Sequence, residues 1–269
     1  LGTSLISGTQ RVKSNLTTRL ITVAVASPLL LALLFWGPPW GWFLLVLLAV
    51  AAASMELLGM THPQDKVAQA AGMLTTIAVS CSFYLFTHDP RVLLTVVLGA
   101  TMLGSLLPLW RLGDIQTAAL RMLSGIAVPF YVGGLLTCLA LLRKELGPQG
   151  PGYVLMTLMF AWMADSGGYF VGRAWGKNPL YAAVSPKKTR EGFIGGLVGA
   201  QLGALIAHFW YLPEIPLGHA MILALACGVL GQLGDLSESL IKRATSIKDS
   251  GSLIPGHGGI LDRVDALLI

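Results

Sequence analysis

The sequence predicts an all-α, polytopic integral membrane protein with eight transmembrane helices and the start of a ninth. Three observations carry that expectation. Of 269 residues, 54% are hydrophobic and only 12% charged, about half the charged share of a soluble domain. Apolar runs of about 20 residues recur along the whole chain, each long enough to cross a hydrocarbon core about 30 Å thick. When these runs alternate across a bilayer, 15 of the 18 Lys and Arg fall on the side of the N-terminus, leaving only Arg91, Arg143 and Lys144 opposite. Such a bias places the basic side in the cytoplasm.

The spans fall at about 16–36, 42–60, 67–87, 92–110, 117–142, 153–172, 193–212 and 217–241. Breaks are marked by Gly37-Pro38-Pro39, Thr61-His62-Pro63, Asp89-Pro90 and the Pro/Gly-rich stretch 147–152, all turn chemistry. Trp36, Trp40, Trp42, Trp110 and Trp210 sit at span ends, where indoles suit the membrane interface. The last residues, Ala266 to Ile269, read as a ninth helix cut off as it opens. The whole of 1–269 is expected to be one membrane-embedded domain, with N-terminal helices over 1–150 and a second half, over 151–269, that carries the charge clusters taken up next. Cys81, Cys138 and Cys227 are dispersed through apolar runs, which excludes a local disulfide framework or zinc site and reads as small buried hydrophobes.

Charge is scarce enough that its clusters need a reason. Ser185 to Gly192, SPKKTREG, presents Lys187, Lys188 and Arg190 just before the Gly-rich run FIGGLVGAQLGA. A cationic loop opening a helix suits phosphate, since free N–H groups and the positive helix end add to the side chains. It equally suits a topology-setting loop on anionic headgroups. Asp165, in FAWMADSGGYF, lies within a span, where an ionisable group costs about 2.5–3.5 kcal/mol on insertion scales unless it faces a polar interior. Glu56 also lies near a span end, but nothing polar accompanies it in sequence, and it is not placed in the site.

The densest cluster comes last. Asp235, Glu238 and Lys242 share a helix face at i, i+3 and i+7, and Asp262 and Asp265 are again three apart. Between them, Pro255-Gly256-His257-Gly258-Gly259 is a turn with great backbone freedom, able to bring N–H groups close to a phosphate. Carboxylates on neighbouring helix ends, framed by cations, match the needs of Mg²⁺, which takes one or two carboxylates and completes its shell with water and substrate phosphate.

The run from Ser239 through Lys242-Arg243, Lys248-Asp249 and His257-Gly258-Gly259 to Asp262-Arg263-Val264-Asp265 resembles the signature of phosphatidate cytidylyltransferases, the CDP-diacylglycerol synthases. Asp165 to Gly196 resembles a second stretch of that family. The resemblance implies an enzyme that joins CTP and phosphatidate into CDP-diacylglycerol and pyrophosphate. It assigns Mg²⁺ to Asp235 and Asp262, with Asp249 and Asp265 as further ligands or supporting partners, and suggests a second cation such as K⁺. Lys187, Lys188, Arg190, Lys242, Arg243 and Lys248 are expected on the triphosphate and lipid headgroup, with Arg263 nearby. His257 is expected to touch substrate, Gly258 and Gly259 to let the backbone approach phosphate, and Asp165 to hold a cation or border the site. A homodimer in a bacterial inner membrane fits the resemblance, and no nucleic acid partner is expected.

Two rival readings remain at this level. A CTP-dependent lipid kinase acting on a polyprenol or phytol would use the same nucleotide and metal, but would need a base to deprotonate its alcohol. A transporter would also place Asp165 and Asp235 near the membrane, but would not need a basic, Gly-rich cluster at one face.

Overall fold

A computed structural model describes residues 24–247, 250–251 and 259–268. The helices are α1 (Ala24–Trp36), α2 (Pro39–Thr61), α3 (Lys66–Leu85), α4 (Pro90–Trp110), α5 (Ile115–Val128), α6 (Leu135–Glu145), α7 (Gly150–Trp175), α8 (Arg190–Ile206), α9 (Leu217–Ala244) and the short α10 (Leu261–Val264). A π-helical turn over Pro129–Gly134 joins α5 to α6 into one span, as expected where proline removes a helix hydrogen bond. Among the described residues, seven spans are long and apolar enough to cross a membrane. They match the second to eighth expected spans. The first expected span is described only from Ala24 to Trp36. The protein is an integral membrane protein.

The helix ends segregate into two layers. At one, Arg143 donates to the carbonyls of Leu34 and Gly37, Lys144 to that of Tyr84, and His88 meets Glu145. At the other, Arg111 pairs with Asp65, and Arg121 binds the carbonyls of Arg111, Leu112 and Asp114. Helix starts are capped by carboxylates at Asp65, Asp89 and Asp114.

Two packed clusters organise the bundle. One is built mainly on α2, α3, α5 and α6, with Leu34 of α1 and Val154 of α7, and takes in Leu261 and Leu268 of the C-terminal segment, both fully buried. The second joins α7, α8 and α9 around Phe160, Ala200, Ala204 and Ala224. Lipid tails are as apolar as leucine, so helix association depends on close fit rather than on escape from water. The α7–α8 pair shows this: a Cβ at Gly199 would collide with the Met163 carbonyl, and one at Gly167 with that of Gly195. The three cysteines are free, but none is fully buried as expected: Cys81 and Cys227 are half-buried and Cys138 is exposed on the bundle surface, where a lipid-facing position suits an apolar thiol equally well.

Candidate active site

The basic loop is not irregular. Pro179–Tyr181 and Ser185–Thr189 form a two-stranded antiparallel hairpin, β1 and β2. Its exit is fixed by Thr189, whose hydroxyl caps α8 by accepting from Gly192 N at 3.1 Å. Its entry is fixed by Glu191, which accepts from Asn178 Nδ2 at 2.6 Å and from the backbone N–H groups of Lys177 and Asn178. The hairpin thereby holds Lys187 and Lys188 over a cleft of about 490 Å³ between α7, α8 and α9. Asp165, Tyr169, Phe193 and Asp235 also line it. Lys188 forms an ion pair with Asp235, and Asp165 lies within electrostatic reach of Asp235, Lys188 and Arg263. The Arg243 guanidinium ties the end of α9 to the hairpin by donating to Val184 O. The Arg190 backbone N–H bonds Asn178 O, and its side chain is exposed.

Beside the cleft, one carboxylate oxygen from each of Asp235, Glu238 and Asp265 falls within 4.8 Å of the others. Helical spacing puts the first two on one face of α9, and the turn after α10 delivers the third. Burial, and then the charge of Asp235, raises the Asp265 carboxyl well above the usual carboxylate range. Lys188 pulls the other way, but burial and the neighbouring acid outweigh it. Glu238 is almost fully buried, and its Oε1 has no hydrogen-bond partner among the described residues. An all-oxygen donor set with an orphaned buried carboxylate oxygen fits a hard divalent cation.

Asp262 is placed differently from Asp265. Its Oδ1 accepts from Lys242 Nζ at 2.8 Å, and its Oδ2 from the N–H groups of Ser250 and Gly259 at 3.4 and 3.3 Å. Burial acts to raise this carboxyl, but the bonds from Lys242 and Ser250 outweigh it and hold it down to about 2. Lys242 also reaches Glu238 Oε2 at 3.0 Å. The structure thus groups Asp235 with Glu238 and Asp265, where the sequence pairs Asp235 with Asp262. The Gly259 N–H is directed at Asp262 and not at open space. Lys248, Asp249, His257 and Gly258 lie outside the described residues.

Two participants were missed: Glu238, which shares a helix face with Asp235 but was given no role, and Glu56. Glu56, on α2, accepts from Ile260 N at 3.1 Å, Leu261 N at 2.9 Å and Ser250 Oγ at 3.3 Å. For Glu56 the one signal was the cost of a carboxylate near a span end, which demands donors even when sequence neighbours supply none.

A larger hollow of about 920 Å³ lies between the α2–α3 and α4–α5 loops and the end of α9. Its Arg111 and Arg121 are engaged by Asp65 and by backbone carbonyls, so it offers phosphate less than the hairpin cleft does.

Comparison with known proteins places the chain in a family. The chain is 45% identical over 125 residues to the phosphatidate cytidylyltransferase of Bacillus subtilis (strain 168), covering 46% of each chain. It is 41% identical over 124 residues to that of Staphylococcus saprophyticus, covering 46% of this chain and 48% of the relative. For the Haemophilus influenzae protein of the same name the identity is 43% over 148 residues, covering 52% of this chain and 50% of the relative. The chain thus spans about half the length of the curated relatives it matches. A sequence model of the cytidylyltransferase family extends the match to residues 17–269, nearly all of the chain, and on that ground the chain belongs to the cytidylyltransferase family.

Proposed function

We propose that this protein transfers the cytidylyl group of CTP to phosphatidate, giving CDP-diacylglycerol and pyrophosphate, at the cytoplasmic face of a bacterial inner membrane. The observation that carries the reading is the juxtaposition of the Asp235, Glu238 and Asp265 carboxylates with a lysine-lined cleft at the end of a membrane bundle. The names of the relatives supply the substrate pair.

In this reaction a phosphatidate oxygen bonds to the α-phosphorus of CTP as the bond from that phosphorus to the bridging oxygen breaks. A phosphomonoester is largely ionised near neutral pH, its second pKa being about 6, so the attack needs no strong base. Repulsion between two polyanions is the obstacle. Lys187 and Lys188 would meet that repulsion from the hairpin, Arg263 would add positive charge beside them, and Lys242 would act by holding Glu238 and Asp262. Asp235, Glu238 and Asp265 would hold Mg²⁺, with Asp262 and Asp249 supporting them. When bound, Mg²⁺ supplies charge neutralisation on the phosphates and the leaving group. Asp165 would orient Lys188 and Arg263. The apolar side of the cleft, with Tyr169 and Phe193, suits a lipid entering sideways between helices.

The test is pyrophosphate release by purified protein in lipid nanodiscs. Release from CTP should require both phosphatidate and Mg²⁺. CDP production with a lipid alcohol instead would make the protein a kinase.

A further inference from the structure

The C-terminal segment that carries Asp262 and Asp265 does not hold itself in place. Helix α10 is a single turn, and its side chains reach into both halves of the molecule, Asp262 to Lys242 of α9 and Leu261 away from it. Leu261 and Leu268 are buried in the cluster built on α2, α3, α5 and α6, whereas Asp265 faces Asp235 and Glu238 of α9. The polar joint between these surroundings is Glu56. Its two oxygens take the N–H groups of Ile260 and Leu261, the otherwise unpaired donors at the start of a helical turn. The same carboxylate takes Ser250 Oγ, from the other end of the loop. Ser250 is shared, since its N–H goes to Asp262. A Cβ at Gly251 or Gly259 would lie 2.5 Å from a Glu56 oxygen, so the backbone closes around the carboxylate from both sides.

We infer that Glu56 is a positioning residue for the acidic cluster: it clamps the two loop ends and thereby sets Asp265 against Asp235 and Glu238. The inference rests on the cation-site reading given above. Glu56 touches no reacting atom. Its charge is matched by backbone donors, which a glutamine cannot reproduce, because one of its two ends would present N–H groups to N–H groups.

The test compares wild type with Glu56→Gln in nanodiscs by two measurements. Hydrogen exchange of a peptide covering 259–268, without metal or substrate, reads the clamp. Mn²⁺ binding by electron paramagnetic resonance, without substrate, reads the acidic cluster. The expected result is faster exchange by roughly 10-fold or more in that peptide and Mn²⁺ affinity weakened about 10–100-fold, the range for groups that orient metal ligands, with little change in melting temperature. Should Glu56→Gln fail to fold, Ser250→Ala removes one clamp contact and should shift both readouts in the same direction by less. Wild-type exchange and wild-type Mn²⁺ affinity in the folded variant overturn the inference. If wild type itself binds no Mn²⁺, the cation reading falls; unchanged exchange would then remove the clamp as well, and faster exchange would keep Glu56 as the clamp on the loop.

Discussion

Lys242 donates to Asp262 at 2.8 Å, closing the loop between α9 and α10 with an ion pair that also reaches the buried Glu238. Lys242 has a side-chain exposure of 14% and Glu238 of 1%. Removing the cation that bridges these two enclosed carboxylates should therefore cost about 3–5 kcal/mol. Lys242→Met is expected to lower the melting temperature, measured in nanodiscs without substrate. Asp262→Asn should also lower it, and should flatten its acid dependence. The Asp262 carboxyl is depressed, so its contribution is fully present above about pH 4 and is lost as pH falls through about 2.

The acidic cluster separates two kinds of aspartate. Asp235→Asn and Asp265→Asn should each reduce turnover roughly 100-fold or more. Asp265→Asn should leave the melting temperature unchanged or raised, because it removes charge from a crowded set. Asp235→Asn should leave it about unchanged, because relief of crowding is offset by the loss of the Lys188 ion pair. Asp262→Asn should lower both turnover and stability. Initial rates at saturating CTP, paired with melting curves, decide this. Full activity in Asp235→Asn or Asp265→Asn would remove those residues from the metal set.

The two hairpin lysines should differ. Lys188 is paired with Asp235 and Lys187 is more exposed. Both should raise KM for CTP when replaced by Ala, by an amount matching the roughly 1.5–3 kcal/mol of a charged hydrogen bond. Lys188→Ala should in addition lower kcat, because it leaves Asp235 without its cation. Steady-state kinetics with varied CTP separates the two effects.

Close backbone approach between α7 and α8 gives a prediction about stability. A side chain at Gly199 meets the Met163 carbonyl, which cannot rotate away. Gly199→Leu should destabilise by about 1–3 kcal/mol or more, read as a lower melting temperature. Gly218→Ala, where a Cβ meets nothing within 4 Å, serves as the neutral control.

Most spans were legible because length and continuous apolarity suffice to define them, as in α2 through α9. The hairpin was not: Ser185 to Thr189 is short, polar and carries a proline, so its pairing depends on Glu191 and Asn178 fixing the loop entry. Asp235, Lys187 and Lys188 were placed by their scarcity in an apolar chain. The partnership of Asp262 was not, because helical spacing would put it on one face with Asp265. The backbone leaves α-geometry at Val264 (φ −111°, ψ 1°), and the two carboxylates part. Glu56 was beyond any local pattern, its partners being 194 to 205 residues away.

The most direct measurement uses CTP labelled on the α-phosphate, phosphatidate, Mg²⁺ and the purified protein in nanodiscs, with the lipid phase counted. The account predicts that label enters the lipid in step with pyrophosphate release and that Asp235→Asn prevents both. Absence of label from the lipid, with transfer instead from γ-labelled CTP to a lipid alcohol, would contradict it.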